Sequence, residues 1–105
     1  METKRIAVVS KDGINVDDHF GMAESFRIYD LNDGLSFVEE RVSEKLSVGD
    51  PDHPFDAEKF NRVYETIKDC NKVYVTKIGD GPAKRLRELG VEPVIYEGPI
   101  GEISD

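Results

Sequence analysis

A short, wholly apolar run near the start of the chain is the feature that most restricts its fold. Ile6-Ala7-Val8-Val9 follows a basic start and has no polar residue at alternate positions. Such a run is typical of a strand that is buried on both faces in the middle of a sheet. We therefore expect residues 6–9 to form the central strand.

Two alternating runs separated by a glycine-containing turn predict an antiparallel hairpin. Polar and apolar residues alternate in residues 26–30 and again in residues 35–42, and Asn32-Asp33-Gly34 lies between the two runs. An Asp-Gly pair in this position is a hairpin signal because it supplies the backbone angles of a tight turn. Before the hairpin, Lys11-Asp12-Gly13 and Ile14-Asn15-Val16 predict a turn and a small hairpin-like excursion.

The second half of the chain alternates between helical and strand patterns. Asp56 can cap a first helix, whose apolar residues recur at helical spacing and share one face: Phe60, Val63, Tyr64, Ile67 and Cys70. By this spacing Cys70 is a core thiol. A buried strand is predicted at residues 72–76 and a last strand at residues 91–96. Between them lies a second helix with three inward positions, Ala83, Leu86 and Leu89.

The order of these elements predicts the fold class. Three strands followed by two helix–strand units indicate an α/β protein with a mixed five-stranded sheet in the order 3-2-1-4-5 and helices packed on it, the ribonuclease H-like architecture. A chain of 105 residues can bury one core and is too short for two, so we expect residues 1–105 to form a single domain. Residues 43–56, which include His53, predict an exposed, mobile connection, and residues 97–105 a frayed tail or a short helical turn.

Charge and composition exclude several classes of partner. Lys and Arg number 14 against 22 Asp and Glu, and the resulting net charge of −8 opposes binding to nucleic acid phosphates or to an anionic membrane surface. No apolar run approaches the length that crosses a bilayer, and no signal peptide precedes the first strand, so we expect a cytoplasmic protein. The single cysteine allows no internal disulfide and no zinc-ribbon spacing.

The segment after the first strand concentrates residues that chemistry uses. His19 follows two carboxylates, Asp17 and Asp18, which can orient an imidazole or can simply solvate the loop. Gly21 allows an unusual backbone angle or the close approach of a ligand, and Phe20 can anchor the loop against a core. Acids, a glycine and one histidine are also typical of an ordinary solvated turn, so both interpretations stay open at this point.

A second glycine-containing turn precedes the second helix. Free backbone N–H groups and the helix dipole at Gly79-Asp80-Gly81 could bind an anion, although two glycines also suit a plain strand-to-helix turn. Ligands of open α/β sheets bind at the carboxyl ends of parallel strands. This turn and the His19 loop should both emerge at that edge, where they could face one ligand.

Hydrolytic chemistry has little support in the sequence. A two-metal nuclease needs carboxylates on adjacent central strands, and neither residues 6–10 nor residues 73–77 contain an acid. No Ser-His-Asp or Cys-His arrangement can be proposed, because Cys70 is predicted to lie in the core and His53 in a loop.

Several segments together resemble one known family. They are residues 4–9, Asp12-Gly13, residues 16–23 with the His-Phe-Gly step, and residues 77–81 with the Ile-Gly-x-Gly turn. They are similar to the dinitrogenase iron-molybdenum cofactor biosynthesis family, which includes NifX, NafY and the C-terminal domain of NifB. The resemblance covers nearly the whole chain.

The resemblance implies a ribonuclease H-like fold and a non-enzymatic carrier role. A domain of this family binds an iron-sulfur cluster precursor or the finished iron-molybdenum cofactor and transfers it to metallocluster assembly proteins. Its motif histidine corresponds to His19, which makes His19 the expected metal ligand. The candidate cofactor-binding residues are His19, Phe20, Gly21, Gly79 and Gly81, and no catalytic residue is expected.

A second interpretation stays open beside the carrier. The same domain could be a cofactor-free protein-interaction or regulatory module in which the His19 loop contacts a partner. In either case we expect a monomer or weak dimer that binds neither nucleic acid nor membranes.

Overall fold

The fold is a sheet with two helices on one face and a short ribbon on the other. The computed structural model describes residues 4–43 and 57–103. Its seven strands are β1 (Lys4–Val8), β2 (Asn15–Val16), β3 (Ser25–Leu31), β4 (Leu35–Val42), β5 (Lys72–Val75), β6 (Glu92–Ile95) and β7 (Gly98–Pro99). Its helices are α1 (Ala57–Ile67) and α2 (Asp80–Glu88), with 3-10 turns at Phe20–Met22 and Ile100–Glu102.

Five strands form the main sheet, in the order β4-β3-β1-β5-β6. The first strand lies at the centre, antiparallel to β3 and parallel to β5, and β5 is parallel to β6. The predicted mixed five-stranded α/β sheet is confirmed. Counted among the five strands predicted from sequence, the observed order reads third, second, first, fourth, fifth.

Alternation along β1 sends side chains into two separate cores. Ala7 points toward the helices, and we call the cluster on that face the helix-side core. It is completed by buried residues from the sheet, both helices and the connecting segments: Val9, Phe20, Ala23, Phe26, Ile28, Phe60, Val63, Ile67, Cys70, Val73, Val75, Leu86 and Val91. Cys70 is 3% exposed, so its predicted place in the core is confirmed.

The opposite face of the sheet is covered by a ribbon formed by β2 and β7. Its buried residues, which we call the ribbon-side core, are Ile6, Val8, Val16, Tyr29, Tyr74, Ile100 and Ile103. The ribbon is held by antiparallel pairing of Asn15 with Pro99 and of Val16 with Gly98. The amide of Ile100 also donates to the carbonyl oxygen of Ile14 at 2.8 Å.

Two local predictions need correction. Residues 97–103 are not a frayed tail, because Ile100 and Ile103 are buried and β7 pairs with β2. The predicted helical turn is present there as the 3-10 turn Ile100–Glu102. Leu89 is not an inward position of α2, since it is 39% exposed. The helix ends at Glu88 and Leu89 is its C-cap, so helical spacing does not determine the direction of the Leu89 side chain.

Some predictions lie outside the described residues. These are the exposed connection over residues 44–56, the capping role of Asp56 and the position of His53. Within the described residues, neither helix has the length and apolar character needed to cross a membrane.

One aspartate joins the edge strand, the central strand and the end of α1. Asp69 accepts two hydrogen bonds from Arg41, at 2.7 and 3.0 Å, and one from Arg5 at 3.1 Å. Arg41 also donates to the carbonyl oxygen of Thr66 at 2.9 Å. The Arg41 guanidinium holds the pKa of Asp69 well below its usual range.

Replacing Asp69 with asparagine should destabilise the protein at neutral pH and should have less effect in acid. A lowered folded-state pKa stabilises the protein above the ordinary carboxyl pKa of about 4, and this stabilisation is lost as the pH falls through the folded-state value. Because the side chain is 42% exposed, solvent screening limits the effect to roughly 1 kcal/mol. Urea unfolding of both proteins at pH 7 and pH 3 measures it, and a difference that does not shrink in acid would contradict the role of the ion pair.

Candidate functional site

The His19 segment is held between the ends of β1 and β5. The amide of Asp17 donates to the carbonyl oxygen of Val9 at 3.3 Å, and the amide of Thr76 donates to that of Asp18 at 3.0 Å. The amide of Phe20 donates to the carbonyl oxygen of Lys77 at 2.9 Å. Because β1 and β5 are parallel, this segment lies at the carboxyl edge of the sheet.

The two loops identified from sequence therefore lie side by side. His19 forms a parallel bridge with Lys77, and Gly79 is only two residues further along the chain. The topological expectation that both loops share one edge is met. This edge is where ligands bind in open α/β sheets.

His19 itself is exposed to solvent. Its backbone amide donates to Asp18 Oδ1 at 2.8 Å, and Asp18 Oδ2 lies 3.7 Å from Lys11 Nζ. Asp17 Oδ1 accepts a hydrogen bond from the backbone amide of Lys11 at 2.8 Å. The two carboxylates thus fix the backbone of the loop. From sequence we expected them either to orient the imidazole or to solvate the loop. In the part of the chain that the structure describes, neither one bonds to the imidazole.

Phe20 anchors the loop, as predicted. Its side chain is 1% exposed and its ring centroid lies 6.0 Å from that of Phe26 in the helix-side core. The ring therefore holds the His19 loop against the core. It does not face the solvent, from which a ligand would arrive. Gly21 lies in the 3-10 turn and does not adopt a positive φ angle. The prediction that Gly21 supplies an unusual backbone angle is therefore wrong. Close approach of a ligand at Gly21 stays a prediction.

The glycine turn leads directly into α2. Gly79 is extended, with φ −71° and ψ 157°, and caps the helix without a side-chain hydrogen bond. The first amides of a helix have no acceptor within the helix, so those of Asp80 and Gly81 are available to a ligand or to water. Gly79, Asp80 and Gly81 are all exposed. The carboxylate of Asp80 in this first turn opposes the attraction that the amides offer to an anion.

A cavity of about 410 Å³ lies on the other side of the His19 loop, toward β3 and β4. Three carboxylates and one ammonium line it together with apolar and hydroxyl groups: Val9, Ser10, Lys11, Asp18, Met22, Ala23, Glu24, Ser25 and Glu40. Among these lining residues there is neither His19 nor any residue of α2. The cavity could not be predicted from sequence, because its walls come from segments far apart in the chain.

Few side chains are available to bind a metal ion in the conventional way. In residues 4–43 and 57–103, no three His, Cys, Asp or Glu side chains are grouped to hold one. Burial raises the pKa of the Cys70 thiol to about 12, so the sulfur stays protonated and is a poor ligand. An exposed imidazole at the rim of the sheet is thus the candidate ligand that the described structure offers, and His53 lies outside it.

The family is decided by comparison with known proteins. The profile of the family described as dinitrogenase iron-molybdenum cofactor matches residues 2–105. The chain belongs to this family. The resemblance seen in the His-Phe-Gly and Ile-Gly-x-Gly segments is thereby confirmed.

Two curated relatives from the family match most of this chain. The chain is 39% identical over 98 residues to the FeMo cofactor biosynthesis protein NifB of Frankia alni, covering 91% of this chain and 19% of that protein. It is 32% identical over 95 residues to protein NifX of Azotobacter vinelandii, covering 90% of this chain and 58% of that protein. The chain therefore spans about a fifth of the NifB relative and somewhat more than half of the NifX relative.

A solved structure shares the fold of this chain. The crystal structure of PH0822 superposes with a TM-score of 0.63 and 22% sequence identity, covering 93% of this chain and 84% of that chain. At this level of identity the match concerns the fold alone.

Proposed function

We propose that this protein is a non-enzymatic carrier for an iron-sulfur cluster precursor or for the iron-molybdenum cofactor during metallocluster assembly. His19 is the protein ligand to the cargo, and the turn from Gly79 to Gly81 supplies amide hydrogens to its anionic surface. The observation that carries the proposal is the position of His19, exposed at the carboxyl edge of the sheet and bridged to Lys77.

The chemistry of the site suits temporary binding. Imidazole is a good ligand for iron, and attachment by one protein ligand leaves a cluster easy to release. A group of thiolates would hold the cluster more firmly, and the buried Cys70 does not offer one. Phe20 positions the ligand, while Gly21, Gly79 and Gly81 leave room for a large inorganic molecule.

The relatives support a place for this chain in cofactor assembly. NifB is named as a FeMo cofactor biosynthesis protein, and this chain corresponds to part of it. We propose that residues 1–105 form a single domain of ribonuclease H-like architecture. This domain works in the cytoplasm and does not catalyse a reaction. Its partners are the proteins that donate and accept the cluster, and it acts as a monomer or weak dimer without nucleic acid or membrane.

Anaerobic titration with a cluster donor, followed by visible absorption, tests the ligand. We expect native protein to take up the cluster and His19→Ala to bind it at least about tenfold more weakly, since even outer groups around a metal contribute that much. His53→Ala is the matched control, because it removes the only other histidine of the chain. It should bind like native protein.

Three results would change this proposal in different ways. Equal uptake by native protein and His19→Ala would remove His19 from the site. Equal losses in both histidine variants would mean that the two imidazoles share the cluster. Absence of uptake by every protein would favour a cofactor-free interaction domain.

A further inference from the structure

We infer that Lys77 is a second cargo-binding residue, whose ammonium group, beside the His19 imidazole, draws an anionic cluster to the β5 side of the His19 loop. This inference rests on the proposed carrier function and adds to it the charge that the site recognises. Lys77 begins the segment of residues 77–81 that carries part of the resemblance, but it is not one of the candidate cofactor-binding residues named from sequence.

The backbone geometry places Lys77 next to the proposed ligand. His19 is extended, with φ −83° and ψ 150°, and pairs with Lys77 in a parallel bridge. Residues paired directly across neighbouring extended segments project their side chains to the same side. The hydrogen bond from the Phe20 amide to the Lys77 carbonyl oxygen, at 2.9 Å, fixes this pairing. An imidazole and an ammonium group therefore leave the sheet edge together.

The charge of Lys77 is available to a ligand. The residue is exposed. Over the described ranges 4–43 and 57–103, no carboxylate lies within ion-pair distance of its ammonium group. By contrast, Lys11 on the other side of the loop lies 3.7 Å from Asp18 and is partly neutralised.

The two sides of the loop differ in charge, and the cavity side is the more acidic. On the β3 and β4 side, the cavity is lined by Asp18, Glu24 and Glu40 and by one cation, Lys11. Glu40 also lies 3.9 Å from Arg27 Nη1, so two of the three acids have a nearby cation. On the β5 side, Lys77 stands beside His19, and the nearest acid in sequence is Asp80 in the first turn of α2. An anion is therefore repelled from the cavity and attracted to the side where Lys77 lies. This local asymmetry explains how a chain of net charge −8 can present a site for an anionic cargo.

Attraction of this kind fits a carrier. A single exposed ammonium group adds affinity through solvent, so its contribution is modest and falls as salt screens it. It speeds the arrival of the cargo and forms no bond that transfer must break.

Binding of a synthetic dianionic iron-sulfur cluster with thiolate ligands, under anaerobic conditions and at low and high salt, tests the role of Lys77. Relative to native protein, we expect Lys77→Ala to bind about 3- to 10-fold more weakly and Lys77→Glu more weakly still, whereas Lys77→Arg keeps the affinity. The salt dependence of binding should be smaller in Lys77→Ala. Asp80→Asn should bind about 2- to 3-fold more tightly, because it removes the opposing charge.

Lys72→Ala is the matched control. Lys72 is the first residue of β5, so it lies at the opposite end of that strand from Lys77 and its loss changes the net charge by the same amount. It should leave the affinity nearly unchanged. If Lys77→Ala and Lys72→Ala behave alike while His19→Ala still weakens binding, the role of Lys77 is overturned and the carrier function stands. If native protein does not bind the cluster, both proposals fail together.

Discussion

Replacing Phe20 with alanine should lower the free energy of unfolding by about 3–5 kcal/mol, the range for removing a buried phenylalanine ring. The ring is 1% exposed and contacts the Phe26 ring at a centroid distance of 6.0 Å. It is also the only side chain of the segment from Asp17 to Gly21 that reaches the helix-side core. Urea unfolding at neutral pH measures the loss.

Phe60→Ala is the matched control for this prediction. Phe60 is 0% exposed in the same core but belongs to α1, so its loss should cost a similar free energy without freeing the His19 loop. In buffer without urea, at a temperature where both variants are folded, Phe20→Ala should bind the cluster more weakly than Phe60→Ala. Equal binding by the two variants would show that Phe20 stabilises the fold without positioning His19.

Replacing Ile100 with alanine should lower the free energy of unfolding by about 2–4 kcal/mol. Ile100 is 4% exposed in the ribbon-side core, where it packs under the pairing of β2 with β7. The loss removes apolar contacts and leaves a cavity, which the short ribbon can fill only in part. Urea unfolding followed by far-ultraviolet circular dichroism measures the change in midpoint.

Ile95→Ala carries the same chemical change at an exposed position. Ile95 is 63% exposed at the end of β6, so its replacement should shift the stability by no more than about 0.5 kcal/mol. Equal effects of the Ile100 and Ile95 substitutions would mean that the ribbon does not form part of a core in solution.

The elements predicted correctly from sequence are those specified by residues close together in the chain. The hairpin of β3 and β4 follows from Asn32-Asp33-Gly34, where Asp33 has φ 58° and Gly34 has φ 130°. The inward face of α1 follows from spacing alone, as the burial of Phe60, Val63 and Ile67 shows. Local backbone chemistry and periodicity suffice in these cases.

The features that sequence reasoning missed are assembled from distant segments. The ribbon joins strands of two residues each, more than eighty positions apart, and a two-residue strand has no readable alternation. The cavity beside the His19 loop likewise combines Ser10, Met22 and Glu40. Proximity of this kind depends on the completed sheet, so the chain carries no local signal for it.

The side-by-side placement of the two candidate loops was predicted from sequence, whereas the contacts within the loops were not. The shared edge of the His19 loop and the Gly79–Gly81 turn followed from the parallel placement of β1 and β5, which strand order implies. The partners of Asp17 and Asp18 did not follow, because a carboxylate next to a histidine in sequence can bond to any nearby amide. The position of Lys77 directly beside His19 is shown only by the bridge between the two residues.

The extended pairing of the His19 segment has a thermodynamic consequence for cargo loading. A ligand carried on a flexible loop must lose conformational entropy when it binds, which weakens the complex. Here three backbone hydrogen bonds to the ends of β1 and β5 have already restricted the segment before any cargo arrives. The cost of ordering is met during folding, so even one imidazole and a weak electrostatic attraction can give useful affinity.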